Sequence, residues 1–411
     1  MSASSRRASA GLVALRPVPY PYRAMLAICS DLDETPSREV YWDIARYLNS
    51  SDSTPMGPGV DLEVGNTIYF DMAPEQFAYW NTDDAGREMV RALVRSGHVD
   101  CFHSYGDLAT TRAHAGRALD ELRRHGCAID VWIDHAVAPS NFGADIMRGR
   151  GDLPGDPVYH ADLTCDFGVR YVWRGRITSV IGQEVPRSLR GIPDHGHRAS
   201  SARTVAKEWV KGWLARLGSR KYAMHAPNLA LRRAELRDGR AVWEFLRTNP
   251  YWGGVENAAT AAGLAEVLRR PFLDALVERG GVATLYTHLG KVRDPRQPLP
   301  PATRDALRLL ASYRDSGQVL VTTTKRLLDW CRRKREVVVE TRETDEAIRV
   351  DLRLPQPEGT FDGLSLYVPD ERPVRVFLDG REVAGARRNP PDHTGRVSLS
   401  VEWPRLRLPC L

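Results

Sequence analysis

Four short segments place ionisable side chains directly after apolar runs. The first is Ser30-Asp31-Leu32-Asp33-Glu34-Thr35, which follows Met25-Leu26-Ala27-Ile28-Cys29. Two carboxylates two residues apart repel, so one of them binds a cation or holds a proton. The same stretch also suits an acidic turn that caps a helix through Asp33 or Thr35. The second is His103-Ser104-Tyr105-Gly106-Asp107, after Val99-Asp100-Cys101-Phe102. In a helical turn His103 and Asp107 share a face and form a nitrogen–oxygen pair suited to zinc. The other reading is a loop histidine beside a capping aspartate. Asp33, His103 and Asp107 together make the three-ligand open set of a catalytic metal site. The third is Thr284-Leu285-Tyr286-Thr287-His288-Leu289-Gly290, where His288 is either a general acid or base or a satisfied histidine at a strand end. The fourth runs from Trp132-Ile133-Asp134-His135 to Asn141-Phe142-Gly143. Here Asp134 and His135 orient the site and Asn141 binds substrate, or all three hydrogen-bond within a loop. His225 has no clear role, and His195 and His197 read as solvated. Trp173, Tyr251 and Trp252 are either sugar-stacking aromatics or core.

Strand ends need a scaffold that gathers them. From about residue 24 to 335 strand-like and helix-like segments alternate. The expected strands are 25–29, 66–70, 99–102, 129–133, 169–173, 222–224, 282–286 and 318–322. The expected helices are 87–96, 111–125, 202–217, 258–269, 302–316 and 325–335. Such alternation implies parallel pairing, and over this length a (β/α) barrel is the economical closure. In a barrel the strand ends carrying Asp31/Asp33, His103/Asp107, His135 and His288 converge on one face. The stretches 50–66 and 139–165 are long loops rich in Gly, Pro, Ser and Asp. After residue 336 come short strands separated by turn signals, at 337–340, 347–352, 364–368, 374–378 and 397–403, which suggests a small all-β, sandwich-like domain. The expected organisation is therefore a flexible N-terminus over 1–22, a barrel of seven or eight parallel strands over 23–335, and a β domain over 336–411.

Composition limits the function classes. The chain has 411 residues, 42% hydrophobic and 27% charged, which fits an ordinary globular protein rather than a disordered chain. No apolar run approaches the ~20 residues of a membrane helix. The net charge of +6 comes from scattered basic residues, so a nucleic-acid partner is not expected. The six cysteines form no CxxC pair, and the apolar stretch at 11–15 is too short for a signal peptide. The expected setting is a reduced cytoplasm, and the oligomeric state is open.

The order and content of the four segments resemble the polysaccharide deacetylases, the NodB-like carbohydrate esterase family 4, over residues 24–335. The resemblance implies a distorted barrel of about seven strands and a divalent ion, zinc foremost, that promotes hydrolysis of an acyl amide or ester on a carbohydrate. Asp31-Leu32-Asp33 matches the family's DxD variant, which makes Asp31 the general base and Asp33 a metal ligand. His103-Ser104-Tyr105-Gly106-Asp107 matches H-[S/T]-x-x-H with Asp107 in place of the second histidine. Leu285-Tyr286-Thr287-His288 is a shifted form of the Leu-x-His motif, which makes His288 the proton donor to the leaving group. The family's arginine motif has no clean match; His135 and Asn141 lie in that region, and Trp173 is a further substrate-binding candidate. The rival readings are a glycosyltransferase or a glycosidase built on Asp31 and Asp33, and an inactive barrel that binds glycans.

Overall fold

The computed structural model describes residues 13–136, 138–190, 192, 198–250, 260–356, 359–369 and 372–411, with 198–200 by backbone alone. It divides into two units, Ala24–Leu328 with Leu406–Leu411, and Met1–Arg23 with Asp329–Arg405.

The larger unit is a mixed α/β structure around a nine-stranded sheet. Ala24–Asp31 lies at its heart, with Val282–His288 along one side. On the other side Val319–Thr322 pairs with its first half and Gly65–Ile68 with its last residues. The sheet continues through Val99–His103, Val131–Ile133, Tyr171–Trp173 and Ala241–Phe245, all parallel. It ends on Leu231–Glu235, which pairs antiparallel with Ala241–Phe245. The strand Ala24–Asp31 is buried at every position, consistent with its apolar run from Ala24 to Cys29 and helices on the sheet.

Two of the helices show how an apolar stripe faces inward. Arg38–Asn49 is capped by the Ser37 hydroxyl and buries Val40, Tyr41, Ile44, Ala45 and Leu48. Asp84–Arg95 is capped by Asp83 and buries Met89, Val90, Leu93 and Val94. Among the described residues no helix is long and apolar enough to cross a membrane.

Several expected elements differ. The segment 222–224 is not a strand; a 3-10 turn spans Arg220–Tyr222 and the chain continues in turns through 228. The place of that strand is taken by the hairpin Leu231–Glu235/Ala241–Phe245, reversed at Asp238-Gly239, where Gly239 has φ +88°. Within the expected helix 258–269 the described residues form Ala261–Val267, and a further helix that was not expected, Arg270–Arg279, follows with Pro271 in its first turn. The stretch 139–165 contains a short helix, Ala161–Phe167, at its end.

The smaller unit contains two four-stranded sheets among its described residues. One pairs Val338–Glu343, Ile348–Arg353, Val374–Leu378 and Arg381–Glu382. The other includes Ser365–Tyr367, Ser398–Ser400 and Arg387–Asn389. Its fourth strand is Ala14–Leu15, within the segment expected to be flexible, antiparallel to Ser365–Tyr367. Arg16 just beyond it is buried and donates to Asp392 at 2.8 Å, which fixes the chain there.

Candidate metal centre

The register of two neighbouring strands sets the centre. Val282–His288 pairs residue by residue with Met25–Asp31, so His288 lies level with Asp31. Val99–His103, beyond Gly65–Ile68, ends at the same height and brings His103 to the same place. Asp31, His103 and His288 are buried, and each offers one ligand atom within 4.8 Å of the other two. His103 Nε2 lies 2.9 Å from Asp31 Oδ2, and His288 Nε2 lies 3.9 Å from the same oxygen. Asp33 stands beside the group, its Oδ1 3.5 Å from His288 Nε2.

The chemistry of the donor set fits a divalent cation. Despite the 2.9 Å approach, neither Asp31 nor His103 presents hydrogen-bonding geometry; both carboxylate oxygens and both ring nitrogens are buried without a hydrogen-bond partner. Asp33 Oδ1 is in the same condition. Each such buried group costs about 1–3 kcal/mol when unsatisfied, so this concentration of them requires a reason. Lone pairs that converge on one point, rather than on each other, suit ligation of a common ion. Two imidazoles and a carboxylate are a donor set for zinc or another divalent transition metal.

Electrostatics agree with that reading. Burial, helped by the charges of His135 and Arg247, holds His103 well below the usual histidine range, so its ring is neutral and able to ligate. Burial pushes Asp31 up to about 6, against the opposing charge of the Arg247 guanidinium. Burial and then the Asp31 charge push Asp33 up to about 8. A dication among these groups reverses the upward pressure on the carboxylates.

The backbone around the centre is strained in a pattern. Glu34, Ser104 and Ala136 have φ of 58°, 49° and 40°, and each lies one residue past Asp33, His103 or His135. Left-handed conformations at non-glycine residues cost about 1–3 kcal/mol and collect where structure serves function. Gly290, two residues past His288, is required by close approach: a Cβ there would stand 2.6 Å from the Asp33 carbonyl oxygen and 2.5 Å from the Thr35 hydroxyl.

The remaining expected site residues take other positions. Asp107 does not join His103; it is half-exposed and pairs with His135 Nδ1 at 3.0 Å. Gly106 at φ +113° turns the chain between His103 and Asp107, so the two do not share a helical face. Burial opposes the charge on His135, but the Asp107 hydrogen bond and the surrounding carboxylates outweigh it and raise its pKa. The His135 ring packs edge-on to His103 with centroids 4.5 Å apart, so it borders the centre. Asn141 faces its own loop rather than a substrate: it accepts from the His135 amide and donates to the His135 and Ala136 carbonyls. Asp134 is buried and accepts from the Trp132 indole and the Phe142 and Gly143 amides, so it anchors this loop. Trp173 is buried, and its indole donates to the Arg176 carbonyl at 2.8 Å. His225 is buried against Glu208, away from the centre. His195, His197, Tyr251 and Trp252 lie outside the described residues.

Sequence reasoning missed Arg247, Tyr286, Tyr69 and Lys291. Arg247 is buried, its guanidinium between the rings of Trp173 at 4.1 Å and Tyr286 at 4.2 Å, and its charge acts on Asp31. It follows the hairpin that the sequence did not reveal, so no signal marked it. Tyr286 lies in the strand of the third segment, and its phenol lies 2.9 Å from His288 Nε2. Tyr69 packs its ring 5.3 Å from His103. Lys291 pairs with Glu34 at 2.9 Å and draws Asp33 downward. Comparison of the chain with family models, curated proteins and solved structures gives no match.

Proposed function

We propose that the chain is a metal-dependent hydrolase of the polysaccharide-deacetylase type, removing an N-acetyl or related acyl group from a carbohydrate. The observation that carries this reading is the meeting of Asp31, His103 and His288 at the ends of three parallel strands, with the Asp31 oxygens and the His103 nitrogens buried without a hydrogen-bond partner. Active sites of α/β structures collect at such ends. The sheet is read as a distorted (β/α) barrel. In support, Gln183 bridges Val282 antiparallel and accepts from Thr248, which lies in the pair Arg247–Thr248/Ile177–Thr178.

In this reading Asp31, His103 and His288 hold the ion, and the roles differ from those implied by the family motifs. Bound there, a divalent ion supplies Lewis-acid polarisation of an acyl oxygen and acidifies water. Asp33, beside the group but outside it, takes the proton of the attacking water and returns it to the departing amine or alcohol. Arg247 opposes the neutralisation of Asp31 by burial, and Lys291 opposes that of Asp33. Tyr286 orients His288 through its phenol. His135, paired with Asp107, stands at the edge where a substrate carbonyl enters.

The test is metal content by mass spectrometry on wild type and His103→Ala, followed by acetate release from N-acetylated sugars. The expected result is close to one transition metal per wild-type chain, none in the variant, and acetate released only by the loaded protein. A wild type that takes up no metal after soaking overturns the proposal.

A further inference from the structure

The helix Arg198–Arg216 is built inside out. Its inward positions are Ser201, Thr204, Glu208 and Lys211, all buried. Its outward positions are Ala202, Arg203, Ala206, Trp209, Val210, Trp213 and Arg216, with Leu217 just past the end. Of the eight large hydrophobic side chains exposed among the described residues, four are Trp209, Val210, Trp213 and Leu217, at 58%, 44%, 47% and 64% exposure. A helix on a globular surface presents the opposite arrangement.

The orientation is locked from the inside. Glu208 is fully buried and accepts from Lys211 Nζ at 2.6 Å, from the Thr178 hydroxyl at 3.1 Å and from the Ser179 amide at 3.1 Å. Lys211 also donates to the Ile177 carbonyl at 2.8 Å. Turning the helix to bury the tryptophans would strand a carboxylate and an ammonium without partners. The outward apolar face is therefore fixed, and a contiguous patch of this kind marks an interaction surface.

Charge decides the kind of partner. Residues 198–221 carry seven basic side chains and a single acid, Glu208, which is already paired inward. Arg216 is exposed beside the same stripe, and Arg220 is exposed just past the helix end. Two copies meeting through this face would press like charges together, whereas an anionic surface answers both the cations and the apolar stripe. Tryptophan with flanking arginine is the composition of a helix that lies in a bilayer interface. We propose that this helix docks the protein on an anionic membrane surface, with Trp209, Trp213 and Leu217 in the headgroup–acyl boundary and Arg216 and Arg220 on lipid phosphates.

The test is co-sedimentation of the full chain with vesicles of phosphatidylcholine alone or mixed with phosphatidylglycerol, with tryptophan emission read in parallel. The expected result is binding to the anionic vesicles, a blue shift on binding, and release by salt. Trp209→Ala/Trp213→Ala, and separately Arg216→Glu/Arg220→Glu, are expected to lower the partition coefficient at least tenfold with circular dichroism unchanged. Absence of binding to either vesicle, or binding that both variants retain, overturns the proposal. So does light scattering that shows a dimer which the tryptophan variant converts to monomer, since the face then joins two copies.

Discussion

Asp31 and Asp33 are separated by one residue and differ in what they touch. Asp31 faces two imidazoles, at 2.9 Å and 3.9 Å, whereas Asp33 approaches only His288, at 3.5 Å. The proposed division of labour gives the two carboxylates distinct mutant signatures. Asp31→Asn is expected to lose the metal, read by mass spectrometry. Asp33→Asn is expected to keep it while turnover falls about 10²–10⁴-fold, the usual size of a proton-transfer contribution. Equal metal loss in both variants would return Asp33 to the ligand set.

At the scale of elements, loops hold the reactive side chains in place by close approach and by buried polar anchors. Gly290 gives the clearest case, because its missing Cβ lets the turn after His288 pass against the Asp33 carbonyl and the Thr35 hydroxyl. Gly290→Ala is expected to reduce turnover at least tenfold through displacement of Asp33, with far-ultraviolet dichroism unchanged. His160 anchors the stretch that precedes Ala161–Phe167. Its ring is fully buried between the Ser140 carbonyl at 2.9 Å and the Thr164 hydroxyl at 2.8 Å. Burial holds its pKa down to about 4, from an ordinary 6.5. Above pH 6.5 the ring is neutral folded or unfolded and the shift has no effect. Between pH 6.5 and 4 the unfolded chain takes up a proton that the folded one excludes, so stability falls, by about 3 kcal/mol in full. Denaturant titrations are expected to show this acid loss in wild type and a flatter dependence in His160→Gln.

For the whole molecule, the proposed ion would link binding to folding in the unit that carries the centre. An ion held only by the folded state adds about 2.7 kcal/mol when present at 100 times its dissociation constant. A chelator is therefore expected to lower the melting midpoint of the Ala24–Leu328 unit by several degrees in wild type and to leave His103→Ala unmoved. Calorimetry separates that transition from one belonging to the β-rich unit, which contributes no residue to the centre.

Much of this was readable along the chain, because local chemistry writes it there. Apolar runs such as 25–29 and 282–286 announced parallel strands, amphipathic stretches announced helices, and the polar residues just after those runs marked where chemistry could occur. Asp31, Asp33, His103, His135 and His288 were all found in this way. Which of them meet was a matter of register and turn geometry. Pairing of Val282–His288 with Met25–Asp31 brings His288 to Asp31 across more than 250 residues of sequence. The positive φ of Ser104 and Gly106 turns Asp107 away from His103 and toward His135. Asn141 and Trp173, polar or aromatic residues near a site, spend their hydrogen bonds on neighbouring backbone instead. Arg247 enters only because a hairpin carries it under Tyr286, and the apolar face of Arg198–Arg216 points outward only because Glu208 and Lys211 are paired inside. Spacing along a chain fixes neighbours within a turn or a strand; contacts between strands depend on alignment over long separations, and that alignment exists only in the folded molecule.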